Sequence, residues 1–180
     1  MAGGAGLPAG LIEPATRLQA ACIGSGVTVA TAESCTGGLV GAAISEIPGA
    51  SSYYLGGVVA YSNRAKETLL EVPGLLLAAH GAVSPEAAAA MATGARTRFD
   101  AEIAVSVTGI AGPTGGTAVK PVGLVWIGLA DRYGVATRSW VFPGDRAAVR
   151  RSAAIAALDW LAERAGAPSV PPVPDAGPRS

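Results

Sequence analysis

Histidine and cysteine are almost missing from this chain. One histidine, His80, and two cysteines, Cys22 and Cys35, stand in 180 residues. A zinc site takes three or four Cys/His ligands in its usual forms, so such a site is excluded. Two cysteines make at most one bridge, too little for a small secreted fold stapled by disulfides. Charge is sparse as well. Only 14% of the residues are Asp, Glu, Lys or Arg, and they cancel to a net charge of zero. Binding along a phosphate backbone needs a basic excess, so a nucleic-acid partner is not expected. Long apolar runs are lacking too: the charge-free stretch 103–119 is broken by glycines and a proline, and no segment reads as a membrane span. The first twelve residues hold no Lys or Arg, and Pro8 and Glu13 interrupt the start, unlike a secretory leader. These absences lead to the expectation of a cytoplasmic, reduced protein with no metal, no membrane partner and no cofactor.

What is present is apolar and small. Half the residues are hydrophobic and 25 are glycine, enough to bury one core and to rule out general disorder. The basic residues divide unevenly: eleven are Arg and two are Lys, Lys66 and Lys120. Guanidinium does not deprotonate in a protein and ammonium does, so a lysine in an arginine-rich chain marks a place where the difference can matter.

Along the chain, residues 1–10 are Gly/Ala/Pro-rich and read as a flexible start. Residues 167–180 carry five prolines and read as an extended, disordered tail. Between them, 11–166 reads as one domain. Helices are expected over 11–24, 39–47, 64–71, 85–98 and 146–165, and strands over 27–32, 57–61, 102–107, 122–130 and 135–142. Ser84-Pro85-Glu86 is a helix start with an N-cap serine, a proline at the first position and an acid in the first turn. The stretch 71–79, EVPGLLLAA, is too apolar for an ordinary connection and reads as a buried or subunit-facing turn. The alternation, with a hairpin late, predicts an α/β fold: a single-domain α/β/α sandwich with a mixed, mainly parallel β-sheet.

Four segments are polar or glycine-rich where a bare scaffold would not need it. Thr31-Ala-Glu-Ser-Cys-Thr-Gly-Gly38 joins a strand to a helix start, where free N–H groups suit an anion or oxyanion. Ser34 there is either a nucleophile or, with Thr36, a candidate N-cap. No G-K-[ST] follows, so a P-loop is excluded. Tyr61-Ser-Asn-Arg-Ala-Lys66 places one lysine just after a strand, as a base or as a solvated first-turn residue. Thr108–Gly116 is a glycine-rich loop at the carboxyl end of a strand, where α/β sheets place ligands. Gly144-Asp-Arg146 sets a cation against the positive end of a helix, which an intervening anion would explain. Cys35 with His80 is a rival nucleophilic pair.

The motifs T-A-E-S-C-T-G-G (31–38), Y-S-N-x-A-K (61–66), H-G-A-V-S (80–84), S-V-T-G-I-A-G-P-x-G-G (106–116), K-P-V-G (120–123) and G-D-R (144–146), in this order, resemble the CinA carboxyl-terminal domain family over about residues 12–165. The resemblance implies a stand-alone nicotinamide-nucleotide amidase, converting nicotinamide mononucleotide to nicotinic acid mononucleotide and ammonia without a metal. It implies Ser34 as nucleophile and Lys66 as base. Lys66 must then be neutral, through burial or a neighbouring cation such as Arg64 or Arg146. Tyr61 would orient the lysine or relay a proton. Backbone N–H groups near Cys35, Thr36 and Gly37 would hold the oxyanion. Glycine geometry and charge, apart from the resemblance, point to Thr108, Gly109, Gly112 and Arg146 as the residues that would bind ribose and phosphate. A homo-oligomer, dimer or larger, is also implied. The alternative function is a non-catalytic nucleotide-binding or competence- and DNA-damage-linked interaction module of the same fold.

Overall fold

The computed structural model describes residues 6–167. The expectations for residues 1–5 and 168–180 lie outside the described residues. The elements run α1 (Ile12–Ser25), β1 (Val29–Glu33), α2 (Leu39–Ser45), a 3-10 turn (Ala50–Ser52), β2 (Tyr54–Val59), α3 (Asn63–Leu70), α4 (Gly74–His80), α5 (Pro85–Phe99), β3 (Ile103–Gly109), β4 (Leu124–Asp131), β5 (Gly134–Val141) and α6 (Arg146–Gly166). Strand order is β2-β1-β3-β4-β5. β1 pairs in parallel with β2 and β3, while β4 runs antiparallel to β3 and to β5. Four strands therefore point one way and β4 points back, but the pairings divide evenly between parallel and antiparallel.

Chain direction explains the two helical layers. The step from β1 to β2 through α2 moves one way along the sheet. The step from β2 to β3 through α3–α5 moves back across β1. Right-handed crossovers moving in opposite directions must lie on opposite faces. Accordingly α1, α2 and α6 cover one face and α3–α5 the other.

The two faces are packed differently. Towards α1, α2 and α6 the sheet presents Val29, Val105, Val107, Val125, Ile127 and Leu129, which meet Leu18, Ile44, Leu158 and Leu161. Towards α5 it presents Ala30, Ala32 and Ala104, facing Ala87, Met91 and Ala95. Small residues on both sides let α5 approach closely. A Cβ at Gly128 would stand 2.4 Å from the Ala88 carbonyl oxygen. In that narrow gap Ser106 Oγ donates to the Ala88 carbonyl at 2.6 Å and accepts from Gly128 N–H at 3.2 Å.

Local chemistry sets the helix starts. Ser62, Ser84 and Asp145 each accept from an amide three residues on, at Ala65, Ala87 and Ala148, as N-caps do. Two expectations need correction. The apolar 71–79 stretch runs into a seven-residue helix, α4, that ends at His80, with Leu77 buried. The strand expected over 57–61 is β2, which starts earlier, at Tyr54, and ends at Val59; its pairing shifts register between Val29 and Ala30. Among the described residues, no helix is long and apolar enough to cross a membrane. Leu7, in the stretch expected to be flexible, packs against the core.

Candidate active site

β1 is buried along its whole length because it lies between two strands and two helical layers. Its carboxyl end is where Ser34 emerges. Ser34 N–H donates to the Val107 carbonyl of β3 at 2.9 Å, and Ala60 N–H donates to the Glu33 carbonyl at 2.8 Å. The ends of β2, β1 and β3 are thus tied together around one residue, at the sheet edge where parallel strands place ligands.

Lys66 is brought there by α3. It stands one turn past the Ser62 cap and is 1% exposed. Its Nζ is 3.1 Å from Ser34 Oγ and donates to the Ala60 carbonyl at 2.9 Å. Burial pulls its pKa below the ordinary lysine value, because an ammonium loses hydration there. Neither Arg64 nor Arg146 contributes to that shift, so burial, and not a neighbouring cation, favours the neutral amine. The nearby Cys35 thiol is pushed up to about 12, chiefly by burial. It is a thiol at neutral pH, not a ready nucleophile. His80 lies instead 3.4 Å from Glu86 at the end of α4, and the Cys35/His80 pair does not form among the described contacts.

The helix start behind Ser34 is capped by an unexpected residue. Neither Ser34 nor Thr36 caps α2; its N-cap is Gly38, with no side-chain bond of its own. The buried Glu33 carboxylate accepts from Gly38, Val40 and Gly41 N–H at 3.0, 3.1 and 2.8 Å. It satisfies the positive helix end that was expected to hold a ligand. The turn before it is closed by Gly37 N–H donating to the Ser34 carbonyl at 3.1 Å. That removes Gly37 from the oxyanion donors. No oxygen among the described residues accepts from the amides of Cys35 and Thr36; the Cys35 amide faces its own thiol.

The other expected residues divide. Tyr61 does not reach Lys66. Its side chain is exposed, and its hydroxyl accepts from Arg146 Nη2 at 2.9 Å. Arg146 Nη1 donates to the Gly112 carbonyl at 3.0 Å, so Arg146 links the ends of β2 and β3 above the site. Thr108 is buried and its hydroxyl donates to the Ala82 carbonyl at 2.7 Å; it anchors the 80–84 segment and does not face a ligand. Gly109 and Gly112 answer to the chain's own packing. A Cβ at Gly109 would lie 2.6 Å from the Leu124 carbonyl oxygen, and one at Gly112 2.6 Å from Val122 Cγ1. Lys120 Nζ donates to the His80 carbonyl at 2.9 Å and pins the loop to α4. Thr36 is fully buried; its carbonyl accepts from Arg150 Nε and Nη2 at 3.3 and 2.7 Å.

Glu33 and Arg150 carry no role in the sequence reading, yet both left a signal. An acid five residues before a diglycine helix start suits the dipole. An arginine four residues after Arg146 shares its helical face. Among the described residues, no group of three His, Cys, Asp or Glu could hold a metal.

The profile of the CinA C-terminal domain family matches residues 12–165. A CinA-like protein of Geobacter sulfurreducens is 52% identical over 139 residues, which cover 77% of this chain and 34% of that protein. A putative competence-damage inducible protein of Halothermothrix orenii is 59% identical over 122 residues, covering 67% of this chain and 30% of that one. The chain therefore spans about a third of the length of the curated relatives it matches. Among solved structures, a competence/damage inducible protein from Agrobacterium tumefaciens superposes with a TM-score of 0.83 at 42% identity, covering 87% of this chain and 96% of that one. A CinA superfamily protein from Klebsiella pneumoniae gives 0.83 at 38% identity, covering 86% and 97%.

Proposed function

The chain belongs to the CinA C-terminal domain family, and from that premise we propose that it is a Ser/Lys amidohydrolase acting on nicotinamide mononucleotide. The observation that carries the mechanism is the buried contact between Lys66 Nζ and Ser34 Oγ at 3.1 Å. The substrate class follows from the family resemblance.

Each step uses a group already in place. Neutral Lys66 takes the Ser34 proton as Oγ attacks the carboxamide carbon. The carbonyl oxygen becomes an oxyanion, held by the amides of Cys35 and Thr36. The C–N bond breaks, Lys66 returns its proton to the departing nitrogen, and ammonia leaves. Water then attacks the acyl ester with Lys66 as base, releasing nicotinic acid mononucleotide and restoring the Ser34 hydroxyl. The Ala60 carbonyl keeps Nζ in place throughout. Arg146 is the residue proposed for the 5′-phosphate, which would compete for the donors now held by Gly112 and Tyr61.

A buried lysine with no carboxylate partner supports an enzyme over a non-catalytic interaction module. Keeping it out of water costs stability, whether it stays charged or gives up its proton, and a binding module has no use for it. The test is ammonia release from nicotinamide mononucleotide by wild type, Ser34→Ala and Cys35→Ala. Wild type and Cys35→Ala should turn over and Ser34→Ala should not. Activity in Ser34→Ala with loss in Cys35→Ala would move the nucleophile to Cys35. No turnover by folded wild type would favour the interaction module.

A further inference from the structure

We infer that Arg150 is a positioning residue that shapes the Ser34–Gly37 turn for oxyanion binding, an inference that rests on the Ser34/Lys66 amidohydrolase reading. Arg146 and Arg150 leave α6 one turn apart on one face, but they do different work. Arg146 is exposed and reaches across to Tyr61 and Gly112. Arg150 reaches inward, and its Nε and Nη2 both converge on one carbonyl, that of Thr36.

That carbonyl is a lever on the turn. The Thr36 C=O and the Gly37 N–H belong to one planar trans peptide and point in opposite directions. Drawing the oxygen towards α6 aims Gly37 N–H back at the Ser34 carbonyl, which it meets at 3.1 Å. The closed turn leaves the two amides inside it, Cys35 and Thr36, without an oxygen acceptor among the described residues; the Cys35 amide meets only its own thiol. These are the amides proposed for the oxyanion.

The remaining contacts show why this hold is needed. Ser34 is tethered at its amide by Val107. On the far side, Glu33 fixes Gly38 and the helix beyond it. Between those anchors, Arg150 makes the described side-chain bonds to residues 35–37, both to the Thr36 carbonyl. Gly37 suits the turn because its φ is 62°, in the left-handed region that favours glycine. Arg150 joins no ion pair among the described residues. A lysine could offer its charge to the Thr36 carbonyl but not two donors in a fixed plane.

The experiment compares wild type, Arg150→Ala and Arg150→Lys by two readouts. One is kcat and KM for ammonia release. The other is the rate at which a fluorophosphonate probe labels Ser34, followed by mass spectrometry; its phosphonyl oxygen requires the same donors. Arg150→Ala should lose about 10- to 100-fold in kcat and a similar factor in labelling rate, with KM within about twofold. Added guanidinium should restore part of both losses, and Arg150→Lys should fall between. A folded Arg150→Ala that labels at the wild-type rate overturns the inference, as does a loss confined to KM. If Arg150→Ala does not fold, Arg150→Lys decides, and wild-type labelling in it overturns the inference. Wild type that labels at Ser34 but releases no ammonia defeats the substrate reading alone, and the labelling comparison still decides Arg150. Wild type that does not label at Ser34 defeats both.

Discussion

Two charges are buried at the end of β1, and they are treated in opposite ways. Glu33 is 2% exposed and Lys66 is 1% exposed. Glu33 accepts three amide hydrogen bonds at the positive end of α2. Lys66 has one carbonyl and one hydroxyl, with no carboxylate among its described partners. Burial without full compensation disfavours the charged form, which is the direction in which Lys66 moves. A buried charge with its bonds met is a structural anchor. A buried charge with its bonds unmet is a reagent.

The widest break in that contrast comes from keeping the Lys66 charge while removing its basicity. Lys66→Arg should lower kcat by about a thousandfold, within the range for a lost general base, and ammonia release measures it. Arginine cannot give up its proton at working pH. Retained activity would show that Lys66 acts by charge alone. The reverse break is at Glu33. Glu33→Gln keeps the shape but replaces one acceptor oxygen with a donor, leaving at least one amide of the α2 start unmet. About 2 kcal/mol of stability should go, read as a lower denaturation midpoint in urea. An unchanged midpoint would mean that water replaces the carboxylate.

Much of this contrast was written in the sequence, and part was not. Ser34 and Lys66 stand in motifs, and the Arg-for-Lys bias set Lys66 apart before any contact was known. The helices and strands follow from caps and periodicity, because Ser62, Ser84 and Asp145 act locally. The partner of a long side chain is a different matter. Tyr61 precedes Lys66 by five residues, yet its hydroxyl bonds Arg146, 85 residues away. Thr108 looked like a ligand contact because it opens a glycine-rich loop, but its hydroxyl bonds Ala82. Glycine at 109 and 112 reads equally as ligand access or as tight packing, and only the fold distinguishes the two. Helix α4 escaped because seven residues with no N-cap side chain carry too little pattern.

Arg146 sharpens the comparison from outside, as a cation at the same sheet edge that is exposed and already partnered. If it holds the substrate phosphate, Arg146→Ala should raise KM about tenfold, a loss of about 1.4 kcal/mol, with kcat much less affected. Equal KM in variant and wild type would leave it as a latch between Tyr61 and Gly112.

The smallest effect tests the cost of the unmet charge directly. In Lys66→Met the buried amino group is replaced by an apolar chain of similar length, while the Ala60 carbonyl loses a donor. Desolvation outweighs one hydrogen bond, so the inactive variant should be more stable than wild type at neutral pH by about 1 kcal/mol. The pH dependence fixes the cause. In the unfolded chain Lys66 keeps its proton up to its ordinary value of 10.5, and in the folded protein it releases the proton earlier. Between those two points the unfolded state binds more protons, so wild-type stability rises with pH. The gap between Lys66→Met and wild type should therefore narrow as pH climbs towards 10.5. Wild-type kcat/KM should rise as pH climbs to the lower of those two points and then level off, because the neutral amine is the base. A gap that stays constant with pH would mean that folded and unfolded Lys66 bind the proton equally well, and the extra stability would then be a matter of packing.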